Sequence, residues 1–236
     1  VVDLDLVAEN YRTLSRALPL AEIYYAVKAN PASEILGLLA RLGSSFDAAS
    51  IHEVERCLEA GVAPERLSFG STIKKARDIA AAHAHGIRLF AFDSAGELDK
   101  IAAEAPGAMV YCRILMEGHG ADWPLSDKFG CDVEMAGDLL IDAARLGLDP
   151  YGVSFHVGAQ QRDIDQWDIA LGRTAMVFSA LNAAGIELKM VNIGGGFPAR
   201  YRHDVAPPEA YANGIMAAMT RHFGNRLPRM IAEPGR

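Results

Sequence analysis

Short apolar runs alternate with longer amphipathic stretches from one end of this chain to the other, and that alternation limits its fold more than any other feature. Runs rich in β-branched and aromatic residues predict strands at 22–27, 45–48, 67–69, 88–92, 108–115, 152–156, 188–193 and 229–232. Between them the helical period predicts helices near 32–42, 50–60, 73–85, 95–104, 134–147, 163–184 and 208–223, with another at 7–18 ahead of the first strand. Parallel strands need crossovers of about a dozen residues or more, and the helices supply that length. The expectation is therefore an α/β chain folded as one (βα)8 TIM-like barrel domain over 1–236. A doubly wound open sheet is the weaker alternative. Because a helix comes first, the leading helix is expected to fill the place of the eighth.

Local signals agree with this register. Ser33 is expected to cap a helix beginning at Glu34, and Ser50 to cap the next, with Glu53 closing a capping box. Gly86, Gly147 and Gly185 follow helices, where a left-handed residue ends the last turn. Two long irregular loops remain, 117–131 and 197–208, and loops of that length in a compact domain often serve function.

Composition narrows the partner. With 23 Lys and Arg against 30 Asp and Glu, a formal charge of −7 and no charge blocks, neither a nucleic-acid surface nor a polybasic membrane anchor is expected. No apolar run approaches the roughly 20 residues of a membrane span, and the start lacks a signal peptide's order of basic then apolar residues. Cys57, Cys112 and Cys131 are odd in number and lack CxxC spacing, which fits free thiols in a reducing, cytoplasmic setting. A small-molecule substrate is the expected partner.

In such a barrel the site lies at the C-terminal ends of the strands. The first strand ends at Lys28, where a partly desolvated amine suits bond formation to a carbonyl. The second ends at Asp47, and the fifth carries Arg113 in an apolar run, for which Asp47 is the natural partner. His156 ends the sixth as a proton carrier, a metal ligand or a flat surface for another ring. No neighbouring ligand spacing supports a metal. The remaining histidines, His52, His83, His85, His119, His203 and His222, are expected to be exposed. Gly194-Gly195-Gly196 ends the seventh and would let backbone N–H groups meet a phosphate, while Glu233 and Arg236 end the eighth. Together these match the needs of a phosphorylated aromatic aldehyde.

At this point the sequence resembles the fold-type III, alanine-racemase-like barrel enzymes that use pyridoxal 5′-phosphate (PLP). Within them it resembles the ornithine, lysine and diaminopimelate decarboxylases. The likeness rests on Ala26-Val27-Lys28-Ala29-Asn30, Phe46-Asp47-Ala48-Ala49-Ser50, Lys128-Phe129-Gly130, Ser154-Phe155-His156-Val157-Gly158, Gly194-Gly195-Gly196-Phe197-Pro198 and Glu233-Pro234-Gly235-Arg236, in the family's order. Gly120-Ala121-Asp122-Trp123-Pro124-Leu125 looks closest to the bacterial ornithine or lysine branch.

The resemblance implies that Lys28 bonds to PLP, His156 stacks on its ring and Glu233 pairs with its pyridine nitrogen, these three being the catalytic positions. It also implies that Gly195, Gly196 and Arg236 bind the phosphate, that Gly235 lines the cofactor site and that Asp47 and Arg113 form a supporting pair near the lysine. The implied reaction is decarboxylation of a basic amino acid, first L-ornithine to putrescine, with lysine, diaminopimelate or carboxynorspermidine as alternatives. A PLP-carrier barrel without turnover and a non-PLP phosphate-binding isomerase are remoter readings. Ala159 stands where the family usually has a phosphate-contacting serine. The family continues past Arg236 into a C-terminal β-domain and forms its sites across a homodimer, so the chain is expected to be the barrel part of a longer protein.

Overall fold

The computed structural model describes residues 2–123, 128–201 and 204–235. Its first helix, α1 (Leu4–Ala17), starts where Asp3 accepts from the N–H groups of Asp5 and Leu6, at 2.9 and 3.3 Å. The parallel strands and helices then alternate as β1 (Ala21–Ala26), α2 (Ser33–Leu42), β2 (Ser45–Ala48), α3 (Ile51–Glu59), β3 (Leu67–Phe69), α4 (Ala76–Ala84), β4 (Leu89–Phe92), α5 (Ala95–Glu104) and β5 (Met109–Arg113). After a short strand β6 (Ala121–Trp123) come α6 (Val133–Arg145), β7 (Asp149–Ser154), a second short strand β8 (Ala159–Gln161), α7 (Asp165–Ala183), β9 (Met190–Asn192), α8 (Pro208–Phe223) and β10 (Arg229–Ala232).

Eight of these strands close into a barrel in the order β1-β10-β9-β7-β5-β4-β3-β2. Every neighbouring pair is parallel, and closure comes from Ala21, Glu22 and Ile23 of β1 lying against Met230, Ile231 and Ala232 of β10. The leading helix packs against both α2 and α8 and so completes the outer ring, as its place in the sequence requires. Most of the core lies between strands and helices, while a smaller cluster of Tyr24, Leu89, Ala91, Tyr111, Met190 and Ile231 fills the barrel itself.

Three local expectations change. Ser33 is the first residue of α2 rather than its cap; the cap is Ala32, whose N–H donates to the Asn30 side chain at 3.1 Å. The 117–131 segment is not wholly irregular, because β6 pairs antiparallel with β8, and residues from Gly130 fold back along β5, where Cys131 bridges Ile114. Three residues are too few to show a period of two. The sixth barrel strand is Asp149–Ser154, so His156 lies just beyond its end.

One buried ion pair braces the loop after β3. Lys74 Nζ meets Glu97 at 2.8 Å and donates to the carbonyls of Ser71 and Ala91 at 2.7 and 2.6 Å, while Lys100 reaches the other Glu97 oxygen at 2.6 Å. Burial lowers the Lys74 pKa to about 8 despite its partner. Lys74→Met leaves Glu97 short of a cation and two carbonyls without a donor, at an expected cost of about 3 kcal/mol. Urea denaturation checks this, and an unchanged midpoint contradicts it.

Candidate active site

The period of two along each strand sorts the barrel interior into levels. On β10, Arg229 lies at the closed end, donating to Glu22 and to the Tyr24 hydroxyl, the latter at 3.0 Å. Ile231 sits in the inner apolar cluster, and Glu233 emerges at the open end. β9 runs in step, with Met190 in the cluster and Asn192 above it; β5 places Tyr111 there and Arg113 at its end. Polar side chains thus collect at the C-terminal mouth because the positions two residues below them are apolar.

Glu233 stands at the centre of this group. Its N–H donates to Gly194 O at 2.8 Å, and Ala26 N–H donates to Pro234 O at 3.0 Å, which wedges 233–234 between the glycine turn and the end of β1. Asn192 Nδ2 donates to Glu233 Oε1 at 2.5 Å. Burial pushes the Glu233 carboxyl up to about 7, and nearby Asp47 pushes the same way, against Asn192, Lys28 and Arg113. Asp47, 4% exposed, accepts from Ser68 Oγ at 2.9 Å, and burial raises its pKa against the pull of Lys28. Two acids therefore face two cations across one mouth.

His156 is half-buried, and its Nδ1 accepts from Gly158 N–H at 3.0 Å, so the ring hydrogen belongs on Nε2. Burial and the charges of Arg113 and Lys28 push its pKa down to about 3. The ring is therefore held in its neutral form and offers a flat uncharged face to the mouth. No cluster of three or more metal-ligating side chains occurs among the described residues.

The glycine turn is built for close approach. Gly194 and Gly196 have φ of +65° and +96°. A Cβ on Gly195 would lie 2.5 Å from Glu233 O and 3.7 Å from His156 Nε2, and one on Gly196 would lie 2.4 Å from Gly158 O. No backbone carbonyl among the described residues accepts from the N–H of Gly195 or Gly196. Free N–H groups on a turn without side chains are the donors that a phosphate takes.

Two expectations about the cations are corrected. Lys28 is exposed, because it lies on a 3₁₀ turn (Val27–Ala29) past the end of β1 rather than inside the rim; its charge is still felt by Asp47, Glu53, His156 and Glu233. Arg113 and Asp47 form no direct salt bridge: the guanidinium lies 5.3 Å from the centre of the Phe129 ring, and Asp47 is held by Ser68. Glu53 serves the start of α3, its Oε2 accepting from Ala49 N–H at 2.6 Å while Ser50 Oγ accepts from Glu53 N–H. Gly235 packs against Ala26 and Ala29 near Lys28. Arg236, with Pro124, Leu125 and His203, lies outside the described residues. His222 is not free at the surface; Nε2 meets Asp168 at 2.9 Å.

Sequence reasoning missed Asn192, Ser68 and the glutamines of β8. Gln160, at φ +54°, clamps Ala199 with both ends of its amide, and buried Gln161 donates to the carbonyls of Val157 and His119 at 2.7 and 2.8 Å. Period-two spacing from Met190 puts Asn192 on the inner face of its strand without revealing its partner; nothing in the sequence marks the glutamines.

Residues 4–236 match the family model described as "Pyridoxal-dependent decarboxylase, pyridoxal binding domain". Over its full length the chain is 39% identical to a lysine/ornithine decarboxylase of Selenomonas ruminantium, and it spans 60% of that relative. The crystal structure of SrLDC in complex with PLP and cadaverine superposes with a TM-score of 0.91 at 38% identity, covering 100% of this chain and 59% of that one. A lysine/ornithine decarboxylase from Vibrio vulnificus complexed with putrescine superposes at 0.90 and 30% identity, covering 99% of this chain and 62% of that one.

Proposed function

We propose, from the premise that the chain belongs to the pyridoxal-dependent decarboxylases and matches their pyridoxal binding domain, that it forms the cofactor-binding half of an enzyme decarboxylating basic amino acids, L-ornithine first. One observation carries this reading: an amine, a neutral imidazole, a carboxyl tuned to about 7 and a side-chain-free turn gather at one barrel mouth. The donor set fits PLP. Lys28 offers the nucleophile for its aldehyde, Glu233 a partner for its pyridine nitrogen, His156 a flat face, and Gly195, Gly196 and Gly235 backbone donors for its phosphate. Arg236 joins them by resemblance, and Asp47 and Arg113 set the field around Lys28.

PLP, when bound, supplies an electron-accepting ring for the pair left on the substrate's α-carbon as CO₂ departs. Lys28 Nζ would be the amine that holds the aldehyde. Glu233, ionised, would favour a proton on the ring nitrogen, and the neutral His156 ring would add no competing charge. The same reading includes a cytoplasmic homodimer, and Trp123 beside the mouth, 67% exposed, offers apolar surface for a covering partner.

Release of CO₂ from L-ornithine and L-lysine by the full-length protein with PLP tests the reading. The expected result is turnover of both with ornithine preferred; none from either overturns it, and faster lysine turnover corrects the substrate. The Glu233 pKa adds a pH signature. Where the free ring nitrogen is already protonated, a protonated Glu233 must release its own proton to pair with it, so PLP affinity should fall, by up to about tenfold per unit, as pH drops below 7. Fluorescence titration with PLP from acid to neutral pH reads this directly, and a flat profile contradicts it.

A further inference from the structure

Resting on the reading of Glu233 as the acid that meets the ring nitrogen, we propose that Asn192 is a positioning residue that locks this carboxylate to the glycine turn, so that the two ends of the cofactor site are set by one side chain. Asn192 is 1% exposed and sits at the last position of β9. Its Nδ2 donates to Glu233 Oε1 at 2.5 Å, and its Oδ1 accepts from Gly194 N–H at 2.9 Å. Only an amide does both: a carboxylate of the same shape cannot donate to Glu233, and an aliphatic side chain does neither.

The two contacts would serve different ends of a bound PLP. Engaging Oε1 leaves Oε2 as the oxygen available to the ring nitrogen. Holding the Gly194 N–H fixes the start of a turn whose next two N–H groups point elsewhere, in a left-handed conformation where a Cβ would meet Phe155 O at 2.3 Å. The backbone bond from Glu233 N–H to Gly194 O, 2.8 Å, ties the same two segments, so the side chain's distinct contribution is to the carboxylate. There its donor favours the ionised form, alongside Lys28 and Arg113 and against burial and Asp47. The phenol of Tyr111 lies below the same group, its own ionisation opposed by burial and by Glu233 and Asp47.

The test measures PLP dissociation constants across pH, borohydride-fixed PLP and urea midpoints for wild type, Asn192→Asp, Asn192→Ala and each change in a Glu233→Gln background. In Asn192→Asp a second carboxyl replaces the donor, so the inflection in PLP affinity should rise by about one pH unit. At pH 7 the dissociation constant should rise about tenfold in either single variant. In the Glu233→Gln background the Asn192 donor still meets an oxygen but no carboxylate remains for it to hold ionised, so the Asn192 changes should cost less than about twofold. An inflection that stays put while only the urea midpoint falls overturns the proposal, as does an equal cost in both backgrounds. Should Asn192→Asp fail to fold, Asn192→Ala decides by the same cycle. A wild-type protein that fixes no PLP on Lys28 brings down the underlying reading as well, whereas fixation with indifferent Asn192 variants sinks this inference alone.

Discussion

Lys28→Ala is expected to abolish borohydride-fixed attachment of PLP and to lower decarboxylation about 10³-fold or more, the scale on which an enzyme loses a group that bonds to the reacting centre. The position makes this test clean. Lys28 is exposed on a turn beyond β1, so the unfolding free energy from urea denaturation should change by no more than about 0.5 kcal/mol. Lys28→Arg separates charge from bond formation: it keeps a cation facing Asp47 and Glu233 and offers no amine that condenses with an aldehyde. Loss in both variants assigns the covalent role. Retention of fixed PLP in Lys28→Ala would move that role to another lysine and sink the assignment.

Glu233→Gln should lower the rate of decarboxylation about 10²–10³-fold with little change in substrate affinity, because a preorganised charge beside the ring acts on the transition state. Glutamine keeps an oxygen for the Asn192 donor, so the local structure should survive. It also removes a buried acid whose pKa is raised by burial and by neighbouring Asp47, and the variant should be at least as stable as wild type. The sign follows from linkage. A carboxyl raised to about 7 in the folded protein binds a proton that the unfolded chain releases, so wild-type stability falls as pH climbs from the ordinary carboxylate range toward 7, and Glu233→Gln should flatten that slope. A variant with full activity, or one with the wild-type pH profile, contradicts the role.

The barrel was legible because each of its strands carries a run long enough to show composition and each helix a full amphipathic period; 45–48, 67–69 and 229–232 match their observed strands residue for residue. The mouth residues were legible as a set because strand ends are fixed once strands are. What stayed hidden were interactions between side chains far apart in sequence. Arg113 was read as Asp47's partner from charge alone, yet Ser68 on the adjacent strand takes Asp47, and the guanidinium rests on Phe129. Lys28 was expected to be partly desolvated, and the chain leaves strand geometry one residue too early for that. Asn192 reads as an ordinary strand residue until its partner, 41 positions away, is in view.

The pairing of β1 with β10 joins segments separated by about 200 residues, and it brings Lys28 and Glu233 to the same mouth. A nascent chain leaving the ribosome therefore carries Lys28 well before it acquires the matching acid, which comes only with the closing strand. Until then the incomplete sheet has two open edges and no competent pocket. Vitamin B6 captured during synthesis would report completion of the ring, and a ligand bridging the first and last strands would seal the seam where the barrel shuts.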